Sequence, residues 1–159
     1  MFDIFWRSVV IGIGATILMD IWAVILAKAT GGAMPNWAPV GRWVWHLGKG
    51  KVFHDDIGKA SPYRNEQALG WIFHYAVGIL YGILLVVITG PGWLATPTFL
   101  PAWIWGIVTI AGGWFLLQPG LGIGWAASKT PNPTKSRFLG LVAHTVFGFG
   151  LYATALLIR

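Results

Sequence analysis

Residues 69–88 read LGWIFHYAVGILYGILLVVI, twenty positions without a Lys, Arg, Asp or Glu. A helix rises about 1.5 Å per residue, so such a run reaches about 30 Å, the thickness of a bilayer's hydrocarbon core. The stretch predicts a membrane-spanning helix. Three more stretches are long enough and predominantly apolar: roughly Ile4 to Ala29, Ala102 to Gly124, and Phe138 to Ile158. The breaks between them are made of turn residues: Gly31-Gly32 with Pro35 and Pro39, then Gly90-Pro91-Gly92, then Thr130-Pro131-Asn132-Pro133. The fold class is therefore all-α, a polytopic membrane protein of four transmembrane helices forming one domain over residues 1–159.

Composition sets the same bound. The chain is 56% hydrophobic and 10% charged, with a mean hydropathy of +0.67. A soluble domain carries roughly 25% charged residues, so lipid must solvate much of this surface. The net charge of +6 does not indicate nucleic acid, because the basic residues sit in short segments between apolar runs and form no soluble basic face. The absence of cysteine excludes disulfides, thiolate metal sites and cysteine nucleophiles.

Charge also orients the chain. The first connection holds Lys28, Arg42, Lys49, Lys51, Lys59 and Arg64, and the third holds Lys129, Lys135 and Arg137. The second holds no basic residue, and the ends contribute only Arg7 and Arg159. The first and third connections are thus expected in the cytoplasm, with both termini outside. Trp37, Trp43, Trp45, Trp71 and Trp125 are expected near one interface, with Phe5, Trp6, Trp93 and Trp103 near the other. Asp3 beside Arg7 does not make a basic leader, so the first span is expected to be retained. Within the long connection, residues 30–68, the segment Arg42 to Leu47 suits a short interfacial helix with tryptophans toward lipid. Asn65 suits an N-cap for the second span, with Glu66 in its first turn.

The second and fourth spans share a pattern. Leu69-Gly70-x-x-x-His74-x-x-x-Gly78 returns seventy residues later as Leu139-Gly140-x-x-x-His144-x-x-x-Gly148, which allows a tandem two-helix repeat. Steps of four lie along one helix face, and small residues there permit close helix approach in lipid. Gly70, Gly78, Gly82, Gly140 and Gly148 are the packing candidates, and exposed stripes of this kind also permit a homodimer. Each histidine on such a stripe is directed at a neighbouring helix.

Ionisable residues inside spans are expensive, so they face a bundle interior or a cavity. Here they are Asp20, His74 and His144, joined by the amide Gln118 beside Pro119, where a helix break is expected. Measured from the flanking charged residues, Asp20, His74 and His144 all lie about 10–12 Å below the cytoplasmic interface. Each of the four spans thus delivers one polar side chain to a similar depth. Several chemistries suit this set. It can lock helix packing as a hydrogen-bonded network. It can bind or pass a small ligand, ion or proton. His74 and His144 could hold a b-type haem, and with Asp20 they have the composition of a two-histidine, one-carboxylate divalent metal site. Acid–base catalysis by Asp20 and a histidine is the least supported, so an enzymatic role is not favoured. The loop Phe53-His54-Asp55-Asp56 reads as a solvated turn before it reads as a metal site. Gly120-x-Gly122-x-Gly124 lacks the strand-and-helix context of a nucleotide loop.

Several segments resemble one family. They are Gly41-Arg42-Trp43, Leu69-Gly70-Trp71 with His74-Tyr75, Gln118-Pro119-Gly120-x-Gly122, Ala126-Ala127-Ser128-Lys129-Thr130-Pro131, and His144 with Phe147-Gly148-x-Gly150-Leu151-Tyr152. Together they resemble a bacterial inner-membrane family catalogued only as a domain of unknown function, number 2938. The resemblance implies a four-helix protein of the inner membrane. It implies no activity and carries over no catalytic residue.

Overall fold

The computed structural model describes residues 1–159 and contains helices and connections only. Four helices are long and apolar enough to cross a membrane: α1 (Phe2–Thr30), α3 (Glu66–Thr89), α5 (Phe99–Leu121) and α6 (Pro133–Leu157). Two shorter helices, α2 (Ala38–Leu47) and α4 (Gly92–Ala95), lie in the connections. In each long helix only 22–28% of the apolar window is buried within protein, so most of that surface needs an apolar surround. Ile17, Ile21 and Ile25 form one such exposed row on α1, at steps of four.

Helix boundaries follow local chemistry. α1 ends where Gly31 turns left-handed (φ 63°), letting Gly31 and Gly32 both donate to the Ala27 carbonyl. α6 begins earlier than the apolar run suggests. Asn132 accepts from the Lys135 N–H at 3.0 Å, and Pro133 occupies the first turn, where a missing N–H costs nothing. The break expected at Pro119 is displaced. Residues Gly113–Leu117 form a wider π turn, which relieves the clash of a proline ring with the preceding turn. The helix therefore continues through Pro119 and stops at Gly122 (φ 86°).

The chain divides into two compact units, each with its own core. The first comprises residues 1–35, 75–109 and 141–159. Its core holds Ile11, Ala15, Leu85, Val86, Leu94, Ala102, Phe147 and Leu151. Glycines set its helix spacing. A methyl at Gly82 would meet the Gly12 backbone and the Ser8 carbonyl, and one at Gly148 would meet the Trp103 backbone. The second unit comprises residues 36–74 and 110–140, centred on Val40, Trp43, Ile57 and Leu121. Here α2 crosses the start of α3 so closely that a methyl at Gly41 would collide with the Glu66 carbonyl.

The tryptophans expected near the interfaces differ in burial. Trp43 is only 1% exposed and donates to the Val52 carbonyl at 2.7 Å, and Trp93 is also buried. Neither faces lipid, because indole N–H groups and large rings find better partners inside protein. Trp45 and Trp125 do remain exposed.

Candidate functional site

The four polar residues of the spans fall two to each unit. In the first unit, Asp20 on α1 accepts from the Tyr75 hydroxyl of α3 at 3.0 Å. Also in this unit, His144 Nδ1 lies 3.0 Å from both Thr109 Oγ1 and the Gly106 carbonyl, and Thr109 Oγ1 lies 2.6 Å from that same carbonyl. A carbonyl can only accept, so the arrangement closes when the hydroxyl and Nδ1–H both donate to Gly106. His144 Nε2 is then the ring's second nitrogen. Asp20, Thr109 and His144 Nδ1 thus bond to protein groups.

The second unit is different. His74 on α3 lies flat against Trp37, with ring centroids 3.8 Å apart and planes at 23°, and Trp71 stands edge-on at 5.9 Å. Gly70 makes the stack accessible, because any side chain there would strike the Trp37 carbonyl. The Trp37 indole N–H is buried without a hydrogen-bond partner, and so is Gln118 Oε1. One is a donor and the other an acceptor, on segments framing α2 and the end of α5. Each lone group costs about 1–3 kcal/mol if it stays unmet. The π turn before Gln118 is what carries the helix far enough to present this amide.

A rigid frame holds this second site. Arg42 binds Glu66 with two parallel bonds of 2.8 Å, and its third nitrogen reaches the carbonyls of Ile57, Gly58 and Ala60 at 3.1–3.3 Å. Glu66 also accepts from the Tyr63 N–H at 3.2 Å. One guanidinium thereby ties α2, the connection and the start of α3 together. The Glu66 carboxylate raises the pKa of Arg42 above its ordinary value, chiefly through their hydrogen bonds.

Sequence spacing pointed to the polar residues themselves and missed their partners Trp37, Tyr75 and Thr109. Tyr75 and Thr109 are uncharged polar residues in apolar runs, a signal weaker than an ionisable group. Trp37 looked like an interface anchor. No group of three or more His, Asp or Glu side chains lies together in a way that could hold a metal ion.

A family model described as Protein of unknown function (DUF2938) matches residues 9–158. No curated protein and no solved structure matches the chain.

Proposed function

We propose the function of this chain, which belongs to the DUF2938 family, from the chemistry of its own side chains: it binds or moves a small ligand, ion or proton at polar groups of its helices. One observation carries the reading. The buried donor of Trp37, whose ring stacks on His74, and the buried acceptor of Gln118 are both left unmet. A network serving only to lock helices would close on itself, as Thr109, His144 and Gly106 do. In the first unit, taken by itself, Asp20 and His144 are the titratable groups for a proton or ion step. The basic connections support an orientation with both termini outside, and the compartment that goes with this reading is a bacterial inner membrane.

The test is a thermal-shift screen of the detergent-solubilised protein against small amines, carboxylates, and mono- and divalent ions. At least one class is expected to raise Tm by several degrees. Gln118→Leu and Trp37→Phe should abolish that shift, and each should leave the ligand-free protein at least as stable as the parent, since an unmet buried polar group is removed. No responsive solute, or an undiminished shift in both variants, would sink the reading and favour a purely structural membrane subunit.

A further inference from the structure

The connection from α5 to α6, residues 122–132, joins two spans, so it lies where the chain leaves and re-enters the membrane. Between residues 110 and 140 the chain has three basic side chains, Lys129, Lys135 and Arg137, and no aspartate or glutamate. All three are exposed. The ion pairs of the protein are Arg7–Asp3, Arg42–Glu66 and Lys59–Asp56, so no carboxylate meets any of these three cations. The first connection differs, because Asp55, Asp56 and Glu66 offset part of its basic charge.

Local structure fixes one of the cations. Ala126 (φ 45°, ψ 49°) and Ala127 (φ 58°) are both left-handed, a region that L residues enter only at a cost. Hydrogen bonds hold this turn: the Ser128 N–H donates to the Trp125 carbonyl, the Lys129 N–H to the Ile123 carbonyl, and the Thr130 hydroxyl to the Ala127 carbonyl. The Ala126 carbonyl accepts from Arg137 Nε at 2.8 Å. That bond uses the inner nitrogen of the guanidinium and leaves its two terminal nitrogens as a forked donor, the geometry that matches a phosphate. Large apolar rings flank the charges. Trp125 is 60% exposed and Phe138 64% exposed. The Trp125 ring lies 5.8 Å from that of Phe115, another exposed residue, within the span of α5.

We infer that this connection is a docking surface for the headgroup of an anionic phospholipid. The Arg137 fork meets the phosphate, Lys129 and Lys135 add positive charge, and Trp125 and Phe138 lie against the start of the acyl chains. Charge complementarity carries the assignment. Three cations without a carboxylate favour a lipid of net negative charge over a zwitterion, whose ammonium they repel. The exposed rings commit the surface to a lipid, because a free phosphate would cover none of their apolar area.

The full-length protein in a neutral detergent is titrated with phosphatidylglycerol, phosphatidylcholine and phosphatidylethanolamine of equal chain length, and each bound lipid is counted by native mass spectrometry. Phosphatidylglycerol should bind at least tenfold more tightly than either zwitterion, and added salt should shrink the difference. Lys129→Gln and Lys135→Gln should each weaken phosphatidylglycerol about fivefold and leave phosphatidylcholine unchanged. Arg137→Gln should cost more, since it removes the fork with the charge, and the two lysine variants keep the test decisive if it disturbs the turn. The double variant Lys49→Gln with Lys51→Gln, in the first connection, should keep the full preference. Equal affinity for all three lipids would overturn the assignment, as would an equal loss in the first-connection variant, which would mark only the overall charge of the protein. Competition by glycerophosphoglycerol at the same concentration as the lipid would also overturn it, because the chains would then contribute nothing.

Discussion

Arg42→Ala should lower the stability of the protein by about 2–4 kcal/mol, a loss near that of breaking a buried ion pair. The magnitude follows from what remains. Glu66 would keep only the Tyr63 N–H, and the carbonyls of Ile57, Gly58 and Ala60 would lose a shared donor. Both side chains are mostly enclosed, at 17% and 18% exposure, so water can replace the lost bonds only in part. Arg42→Lys keeps the charge but offers neither the parallel fork nor the reach to three carbonyls, and should recover less than half of the loss. Paired removal in Arg42→Ala with Glu66→Ala should cost less than the two single losses added, because neither variant then leaves a stranded charge. Thermal unfolding in detergent, followed by tryptophan fluorescence, measures all four proteins. A loss below about 0.5 kcal/mol for Arg42→Ala would place the pair among ordinary surface ion pairs and refute its role as a frame.

The same frame explains why some of the molecule was legible in sequence and some was not. The four spans could be read because twenty apolar residues leave the backbone one solution in lipid, a helix that bonds to itself. Their ends were harder. Pro133 read as a breaker, yet it lies in a first turn, where proline removes a donor that had no partner anyway. Pro119 also read as a breaker, but the π turn from Gly113 to Leu117 absorbs it, and such a turn has no sequence signature of its own. His74, His144, Asp20 and Gln118 stood out because polar groups are costly in a span. Their partners did not, because the Trp37 stack and the Thr109 bond join residues 37 and 35 positions apart. The Arg42–Glu66 pair is hidden for the same reason, since charge alone does not say which of nine basic residues in two connections will meet a carboxylate.

Two units of different character follow from this. In the first, Asp20, Thr109 and His144 bond to protein partners, and glycines bring helices into backbone contact. In the second, a charged frame holds α2 against α3 while an indole N–H and an amide oxygen stay unmet. Rigid support around unsatisfied polar groups is the arrangement that binding requires, because a site that could relax would satisfy itself.

Gly82→Leu should prevent the first unit from folding, and Gly82→Ala should cost it about 1–3 kcal/mol. The reason is the nature of the obstacle. A methyl at Gly82 meets the Ser8 carbonyl and the Gly12 nitrogen and Cα at 2.6–2.8 Å, all backbone atoms of α1. No rotamer change can clear them, so α1 and α3 must separate and lose the dispersion contacts along their seam. Gly78→Ala makes a useful contrast, since its methyl first meets the hydroxyl of Thr16, a side chain. Adding Thr16→Ala should therefore restore much of the stability lost in Gly78→Ala, whereas Ser8→Ala should do nothing for Gly82→Ala. Gly140→Ala is the control: its methyl would lie 3.3 Å from Ile110 Cδ1 and 3.5 Å from Trp114 Nε1, the movable ends of side chains. It should stay within about 0.5 kcal/mol of the parent, the range of an ordinary substitution. Equal losses for Gly82→Ala and Gly140→Ala would show that α1 and α3 are not held at backbone contact, and the close packing assigned to that glycine stripe would be wrong.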